Sequence, residues 1–151
     1  MILYRIARER YASDLSGTGG LISSARWHDH VPVIYTSLSS STAVLEKLVQ
    51  LQPSEIHHDL KMVRLDVPDH LSKERLETIQ LPQNWRIYPG PDILKRIGNG
   101  WLNAKSALLL YIPCAIDPLA ENVLINPAHT EINEIKILSI EDFRFDPRLL
   151  K

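Results

Sequence analysis

Three side chains in the first third of the sequence have the chemistry to bind an anionic ligand that carries sugar hydroxyls. Arg26 precedes a segment of β-branched and aromatic residues that contains Tyr35, and Glu46 follows where apolar residues recur at helical spacing. A carboxylate among core-facing residues is costly to bury without a partner. The nearest candidate partners are Arg26 and the hydroxyls of Tyr35, Thr36 and Ser37.

The elements that must position these side chains follow from hydrophobic periodicity and from turn residues. Alternating or continuous apolar runs predict strands, and apolar residues at helical spacing predict helices. The predicted strands are 1–7, 31–37, 60–67, 106–113 and 134–140, and the predicted helices are 40–50 (ending before Pro53), 72–78 (short and charged) and 91–102. A further apolar segment covers 122–129, and 8–24 is predicted as a loop. Strands without regular βαβ alternation favour an α+β domain.

Two groups of glycines allow more than one interpretation. Gly17, Gly19 and Gly20 could let backbone amides approach a phosphate, but an ordinary turn is the favoured interpretation of so short a motif. Gly98 and Gly100 fall inside the predicted helix 91–102. Since each glycine costs a helix about 1 kcal/mol relative to alanine, we expect another element to pack closely against them.

Composition excludes several classes of protein. The 151 residues fit one domain, 1–151, with a sizeable core. A formal net charge of -1 gives no overall field toward nucleic acid or an acidic membrane, so we expect neither as a partner. The N-terminal residues lack the pattern of a secretory signal, and the single cysteine, Cys114, fits a reducing cytoplasm. His57 and His58 are adjacent, and no histidine has metal-ligand spacing, so no metal site is expected.

A series of short motifs extends over residues 3–149. They are Tyr4-Arg5, Ala25-Arg26-Trp27, Val33-Ile34-Tyr35-Thr36-Ser37, Leu45-Glu46, Leu81-Pro82 with Trp85, Ile97-Gly98 with Trp101-Leu102, Ile112-Pro113 before Ala115, Glu121-Asn122, Leu124-Ile125-Asn126-Pro127 with His129, and Phe145-Asp146 with Arg148-Leu149. In this order the motifs resemble the RES-domain family.

The resemblance implies the toxin of a bacterial toxin–antitoxin pair whose antitoxin is an Xre-type helix-turn-helix protein. It also implies a fold like the ADP-ribosyltransferases, with a split β-sheet core and a cleft for NAD as the substrate, whose nicotinamide–ribose bond is cleaved. Arg26 and Glu46 match the Arg and Glu of the family's name. The position of its Ser is occupied here by Cys114, a bulkier and poorer hydrogen-bond donor, unless Ser106 or another hydroxyl substitutes.

Roles for the catalytic candidates follow from this chemistry. Glu46 would stabilise the positive charge that develops on the ribose as nicotinamide leaves. Arg26 and Arg5 are candidates for binding the diphosphate, because a guanidinium matches phosphate geometry. Tyr35 offers an aromatic face for the nicotinamide ring. The alternatives are ordinary ones: a surface or capping glutamate, structural ion pairs, and a core tyrosine.

Further NAD contacts are expected from Ser37, Cys114 and Asn126. For Asn126 and His129, a turn held by side-chain-to-backbone hydrogen bonds is the favoured alternative. Cys114 is expected to be a buried, inert thiol rather than a nucleophile. The three tryptophans, Trp27, Trp85 and Trp101, are expected in the core.

Three functions remain open at this point. The acceptor of the ADP-ribose can be water or phosphate, which makes the protein an NAD glycohydrolase or an NAD phosphorylase. It can instead be a protein target, which makes it an ADP-ribosyltransferase. The third hypothesis is a non-catalytic module that binds its antitoxin without turnover. In that case, Cys114 at the position of the family's Ser would indicate the loss of activity.

Overall fold

The computed structural model describes residues 1–52, 54 and 56–151. The strands are β1 (Ile2–Arg8), β2 (Ser24–Ala25), β3 (His28–Asp29), β4 (Ile34–Ser37), β5 (Leu60–Asp66), β6 (Lys73–Arg75), β7 (Leu109–Pro113), β8 (Glu121–Ile125) and β9 (Lys136–Asp142). The α-helices are α1 (Glu9–Ala12), α2 (Thr18–Ile22), α3 (Ser40–Gln50) and α4 (Asp92–Ala104), with 3₁₀ helices at Thr78–Gln80, Thr130–Glu134 and Pro147–Leu150. Among the described residues, no helix has the length and apolar character to cross a membrane.

Seven of the strands form one mixed sheet in the order β6-β7-β8-β4-β1-β5-β9. Only β6 and β7 run parallel; the other neighbours are antiparallel. Strands β1 and β5 pair from Ile2 opposite Asp66 to Arg8 opposite Leu60, whereas β1 and β4 meet only where Tyr4 lies opposite Ser37. The sheet is therefore split between β4 and β1, and the predicted α+β class is confirmed.

Each face of the sheet carries its own hydrophobic core, because side chains alternate along a strand. One face includes Leu3, Ile34, Val63, Leu109, Tyr111, Val123 and Ile125. The other combines Leu110, Ile112, Leu124 and the partly buried Tyr35 with Trp27, Val33, Leu81, Trp85, Leu94, Trp101 and Leu102. We call the second face the α4 face, because Leu94, Trp101 and Leu102 belong to that helix. All three tryptophans are buried on it, as expected.

Helix α3 has the bounds that the sequence predicts. The Ser39 hydroxyl accepts a hydrogen bond from the Thr42 amide at 3.1 Å and so caps the first turn. The buried residues Thr42 and Ala43 face inward, and the helix packs against β1 and β4. It ends at Gln50; Pro53 lies outside the described residues. Glu46 is thereby held beside the split in the sheet.

The predicted helix over 72–78 is wrong. Residues Lys73–Arg75 form β6, which pairs in parallel with β7, and a 3₁₀ helix follows at Thr78–Gln80. Backbone hydrogen bonds from Leu109 to Ser72 and from Leu76 to Tyr111 secure both ends of this pairing. The strand lies at the sheet edge with its three residues exposed, so its charges resemble those of a solvated helix.

The predicted loop over 8–24 contains two short helices, α1 and α2. Its glycines serve close packing: Gly17 has φ 72°, and a Cβ on Gly20 would lie 2.4 Å from the Val31 carbonyl oxygen. Gly20 is also buried against Val33. These contacts account for Gly17 and Gly20 as packing residues.

Helix α4 approaches the β2–β3 hairpin at Gly98. A Cβ on Gly98 would lie 1.6 Å from the Trp27 carbonyl oxygen, whereas a Cβ on Gly100 would meet nothing within 4 Å. The Asn99 side chain also accepts a hydrogen bond from the Asp29 amide at 3.1 Å. The close packing expected at these glycines is thus present at Gly98 and absent at Gly100.

The two glycines of α4 make a matched pair for mutation. We expect Gly98→Ala to lower the free energy of unfolding by about 2 kcal/mol or more, because the methyl group meets a backbone oxygen that cannot move freely. Gly100→Ala should be neutral or stabilise by up to about 1 kcal/mol. Urea denaturation measures both, and equal effects of the two substitutions would contradict the close approach.

Candidate active site

The carboxylate of Glu46 is bound through one of its two oxygens. Oε1 accepts hydrogen bonds from Asn122 Nδ2 at 2.6 Å and from the Cys114 thiol at 3.1 Å. Asn122 Oδ1 in turn accepts from the Ser37 hydroxyl at 2.7 Å. Glu46 is half-buried, while Ser37 and Asn122 are 3% and 8% exposed. Helix α3, β4, β8 and the residue after β7 thus meet at this cluster beside the split.

The thiol of Cys114 acts as a neutral donor in this cluster. The side chain is buried, and burial raises the pKa of the thiol, which keeps it protonated at neutral pH. Its sulfur also accepts from the Asp117 amide at 3.4 Å. Ser106, considered as a substitute hydroxyl, lies at the surface and donates to Glu74 instead. A thiol therefore occupies the place where a hydroxyl could bind the carboxylate.

Arg26 lies in the two-residue turn between β2 and β3, where Ala25 pairs with His28. Its Nη1 donates to the carbonyl oxygens of Trp85 at 2.6 Å and Ile87 at 2.9 Å. Burial lowers the pKa of the guanidinium, and the negative charge of Glu46 opposes that shift. The cation is thus held within electrostatic reach of the carboxylate.

Tyr35 connects β4 to the same hairpin. Its hydroxyl lies 3.3 Å from the Trp27 amide, which donates to it, and 2.8 Å from His28 Nδ1. His28 Nε2 faces the carbonyls of Gly20 and Ser23, so that nitrogen carries the proton and Nδ1 accepts from the tyrosine. Burial lowers the pKa of His28 and raises that of Tyr35, so both rings are neutral at pH 7.

The Tyr35 hydroxyl should contribute to stability through the hairpin. We expect Tyr35→Phe to lower the free energy of unfolding by about 1–3 kcal/mol, because the buried His28 ring and the Trp27 amide lose a partner. Tyr111→Phe is the control, since among the described residues its hydroxyl on the opposite face donates only to the Met1 sulfur. Denaturant unfolding compares the two variants; equal losses of unfolding free energy would contradict a larger contribution of the Tyr35 hydroxyl.

The structure does not bring Arg5 to this cluster. Arg5 lies opposite Val63 in the β1–β5 pairing and so faces away from the α4 face. Its Nη2 donates to the carbonyls of Tyr11, Ala12 and Asp14 at 2.7, 3.2 and 2.9 Å. Burial lowers the pKa of this guanidinium. Its contacts are those of a residue that organises the chain after β1.

Asn126 has the geometry of a turn residue. It is 1% exposed, donates to the Leu102 carbonyl at 2.9 Å and accepts from the Ala128 amide at 3.1 Å. His129 Nδ1 similarly accepts from the Glu131 amide at 3.1 Å. These are the side-chain-to-backbone bonds of the favoured alternative, and they leave Asn126 no part in the cluster around Glu46.

Two residues of the site are absent from the sequence-based candidates. Asn122 binds Glu46 directly, and its signal is the polar pair Glu121-Asn122 that precedes Val123, Leu124 and Ile125 in the same strand. His28 binds Tyr35, and nothing in its sequence context separates it from a surface histidine. Asn122 becomes a candidate only once β8 is known to pair with β4, where it lies opposite Ser37.

The sequence has relatives among known proteins. The sequence matches the RES domain over residues 2–146. It is 41% identical over 152 residues to "Toxin Res" of Pseudomonas putida, covering 99% of each chain. It is 32% identical over 148 residues to the "Prs ADP-ribosylating toxin" of a Sphingobium species, covering 96% of this chain and 92% of that one.

A solved structure with the same fold is that of the M. tuberculosis MbcT-MbcA toxin-antitoxin complex. The TM-score is 0.75 at 19% identity, and the match covers 99% of this chain and 86% of that one. This likeness concerns the fold. It confirms the predicted α+β architecture with its split sheet.

Proposed function

The chain belongs to the RES domain family, and from this premise we propose that it is the toxin of a bacterial toxin–antitoxin pair that consumes NAD by cleaving the nicotinamide–ribose bond. Relatives named "Toxin Res" at 41% and 36% identity support the toxin assignment. The proposed site is the cluster around Glu46 together with Arg26 and Tyr35.

The observation that carries the proposal is that the hydrogen bonds to the Glu46 carboxylate occupy one of its two oxygens. Both of its hydrogen bonds end on Oε1, and no described residue donates to Oε2. Oε2 is therefore available to accept from ribose hydroxyls. Both donors are neutral, so neither cancels the field of the carboxylate at the cation that forms in the reaction.

The reaction starts with heterolysis of the bond between the ribose anomeric carbon and the nicotinamide nitrogen. The electron pair leaves with nicotinamide, which becomes neutral, and the sugar becomes an oxocarbenium-like cation. Glu46 stabilises this cation electrostatically. Water or phosphate then bonds to the anomeric carbon and loses a proton to solvent, giving ADP-ribose or its phosphate ester.

Arg26 and Tyr35 have binding roles in this proposal. The Arg26 guanidinium supplies positive charge for the diphosphate, and two backbone carbonyls fix its position. Tyr35 offers its ring to nicotinamide, because its hydroxyl is committed to His28 and Trp27. In this proposal neither Ser37 nor Cys114 contacts NAD: the Cys114 thiol donates to Glu46, and the Ser37 hydroxyl donates to Asn122.

The proposed partner is an Xre-type helix-turn-helix antitoxin, and the proposed setting is the bacterial cytoplasm, where NAD is available. The related fold in a toxin–antitoxin complex supports a protein antitoxin. The helix-turn-helix class of the antitoxin comes from the resemblance of the sequence to the RES-domain family.

A second candidate function is transfer of ADP-ribose to a protein. The Sphingobium relative at 32% identity is named an ADP-ribosylating toxin, which favours this reaction for members of the family. The two functions share the first step and differ in the nucleophile. They are separated by where the ADP-ribose is found after the reaction.

Nicotinamide release from NAD by the purified, antitoxin-free protein tests the proposal. We expect release by the wild type and a loss of at least about 100-fold in Glu46→Gln, which keeps the shape of the side chain but removes the charge. Glu141→Gln, an exposed substitution on edge strand β9, should retain wild-type activity.

Reactions with adenine-labelled NAD, with and without phosphate, identify the acceptor. Label in ADP-ribose indicates water, label in its phosphate ester indicates phosphate, and label on added cell protein indicates transfer. A folded wild type that releases no nicotinamide would contradict NAD cleavage and favour the non-catalytic binding module. Equal activity in Glu46→Gln would remove Glu46 from the mechanism.

A further inference from the structure

We infer that Asn122 is a positioning residue for Glu46, and that a hydrogen bond from Ser37 supports the Asn122 amide; this inference rests on the function proposed above. Asn122 Nδ2 donates to Glu46 Oε1 at 2.6 Å, a shorter contact than that from the Cys114 thiol at 3.1 Å. Amide nitrogen is also a stronger donor than a thiol. Asn122 is therefore the principal hydrogen-bond donor to the carboxylate.

The Asn122 amide has a hydrogen-bond partner at each of its two polar atoms. A carboxamide can rotate by half a turn and present either oxygen or nitrogen to its neighbour. The Glu46 carboxylate only accepts, so it selects the orientation in which Nδ2 faces it, and the Ser37 hydroxyl donates to Oδ1 at 2.7 Å and holds the amide in that orientation. Ser37 and Asn122 lie opposite each other in the β4–β8 pairing, so the sheet register holds both side chains on one face.

The series of hydrogen bonds from Ser37 through Asn122 to Glu46 restricts the carboxylate. Two donors on Oε1 restrict rotation of the carboxylate and leave Oε2 facing a fixed direction. An arginine or lysine in place of Asn122 would bind as firmly but would neutralise the charge. A neutral amide holds the carboxylate in position without cancelling its field, which suits a group that must stabilise a cation.

Asn122→Asp is the sharpest test, because it replaces the NH₂ donor by a carboxylate oxygen of nearly the same shape. Two facing carboxylates share a proton, as like charges in contact cannot both ionise easily. We expect kcat at pH 7 to fall at least about tenfold, and the acidic limb of the pH–kcat profile to move to higher pH. The KM for NAD should change little.

Asn126→Asp is the matched control. Asn126 is also a buried asparagine at β8, but its amide donates to the Leu102 carbonyl rather than to Glu46. This substitution should destabilise the protein without moving the pH–kcat profile. Ser37→Ala adds a milder variant: it should lower kcat several-fold, because the Asn122 amide oxygen then loses the donor that holds it in place.

A second readout does not depend on activity. In protein labelled with ¹³C at the glutamate carboxyl carbon, the Glu46 signal is identified by its absence in Glu46→Gln. Its titration midpoint should move to higher pH in Asn122→Asp and stay unchanged in Asn126→Asp. An unchanged midpoint in Asn122→Asp, or a wild-type kcat and pH profile, would overturn the inference. No nicotinamide release by the wild type would overturn the proposed function alone, since the titration still tests the hydrogen bond.

Discussion

The half-buried carboxylate of Glu46 is the constraint on which the site depends. A carboxylate removed from water is stable only with hydrogen-bond donors, and here both donors are neutral and bind the same oxygen. They come from β8 and from the residue that follows β7, while Ser37 of β4 donates a hydrogen bond to the first of them, Asn122. The register of three neighbouring strands therefore decides whether Glu46 has its partners.

The opposite side of the site depends on backbone packing. The β2–β3 hairpin carries Arg26 in its turn, and two contacts hold that turn: the close approach of Gly98 to the Trp27 carbonyl and the Tyr35 hydroxyl on the Trp27 amide. Arg26 then binds the carbonyls of the 85–87 segment. Because Tyr35 and Ser37 project from the same face of β4, one short strand positions the cation and the carboxylate together.

Local patterns predicted helix α3 to the residue and the positions of the long strands, because periodicity and capping are properties of neighbouring residues. Arg26, Glu46 and Tyr35 can also be named as site candidates from the sequence, since their side-chain types suggest the chemistry; their roles stay predictions. The helix predicted over 72–78 failed because β6 forms only by pairing with β7, which is distant in sequence. The role of Asn122 and the placement of Arg5 could not be predicted for the same reason. Alternation along a strand shows that it has two faces, but the pairing of strands decides which face contacts the site.

The most direct test of this account is a crystal structure of Glu46→Gln with NAD, since the substitution preserves the shape of the site while stopping the chemistry. The account predicts ribose hydroxyls within hydrogen-bond distance of the residue 46 side-chain atom that does not face Cys114 and Asn122. It also predicts the diphosphate near the Arg26 guanidinium and the nicotinamide ring against Tyr35. NAD bound on the other face of the sheet, or bound without contact to residue 46, would contradict it.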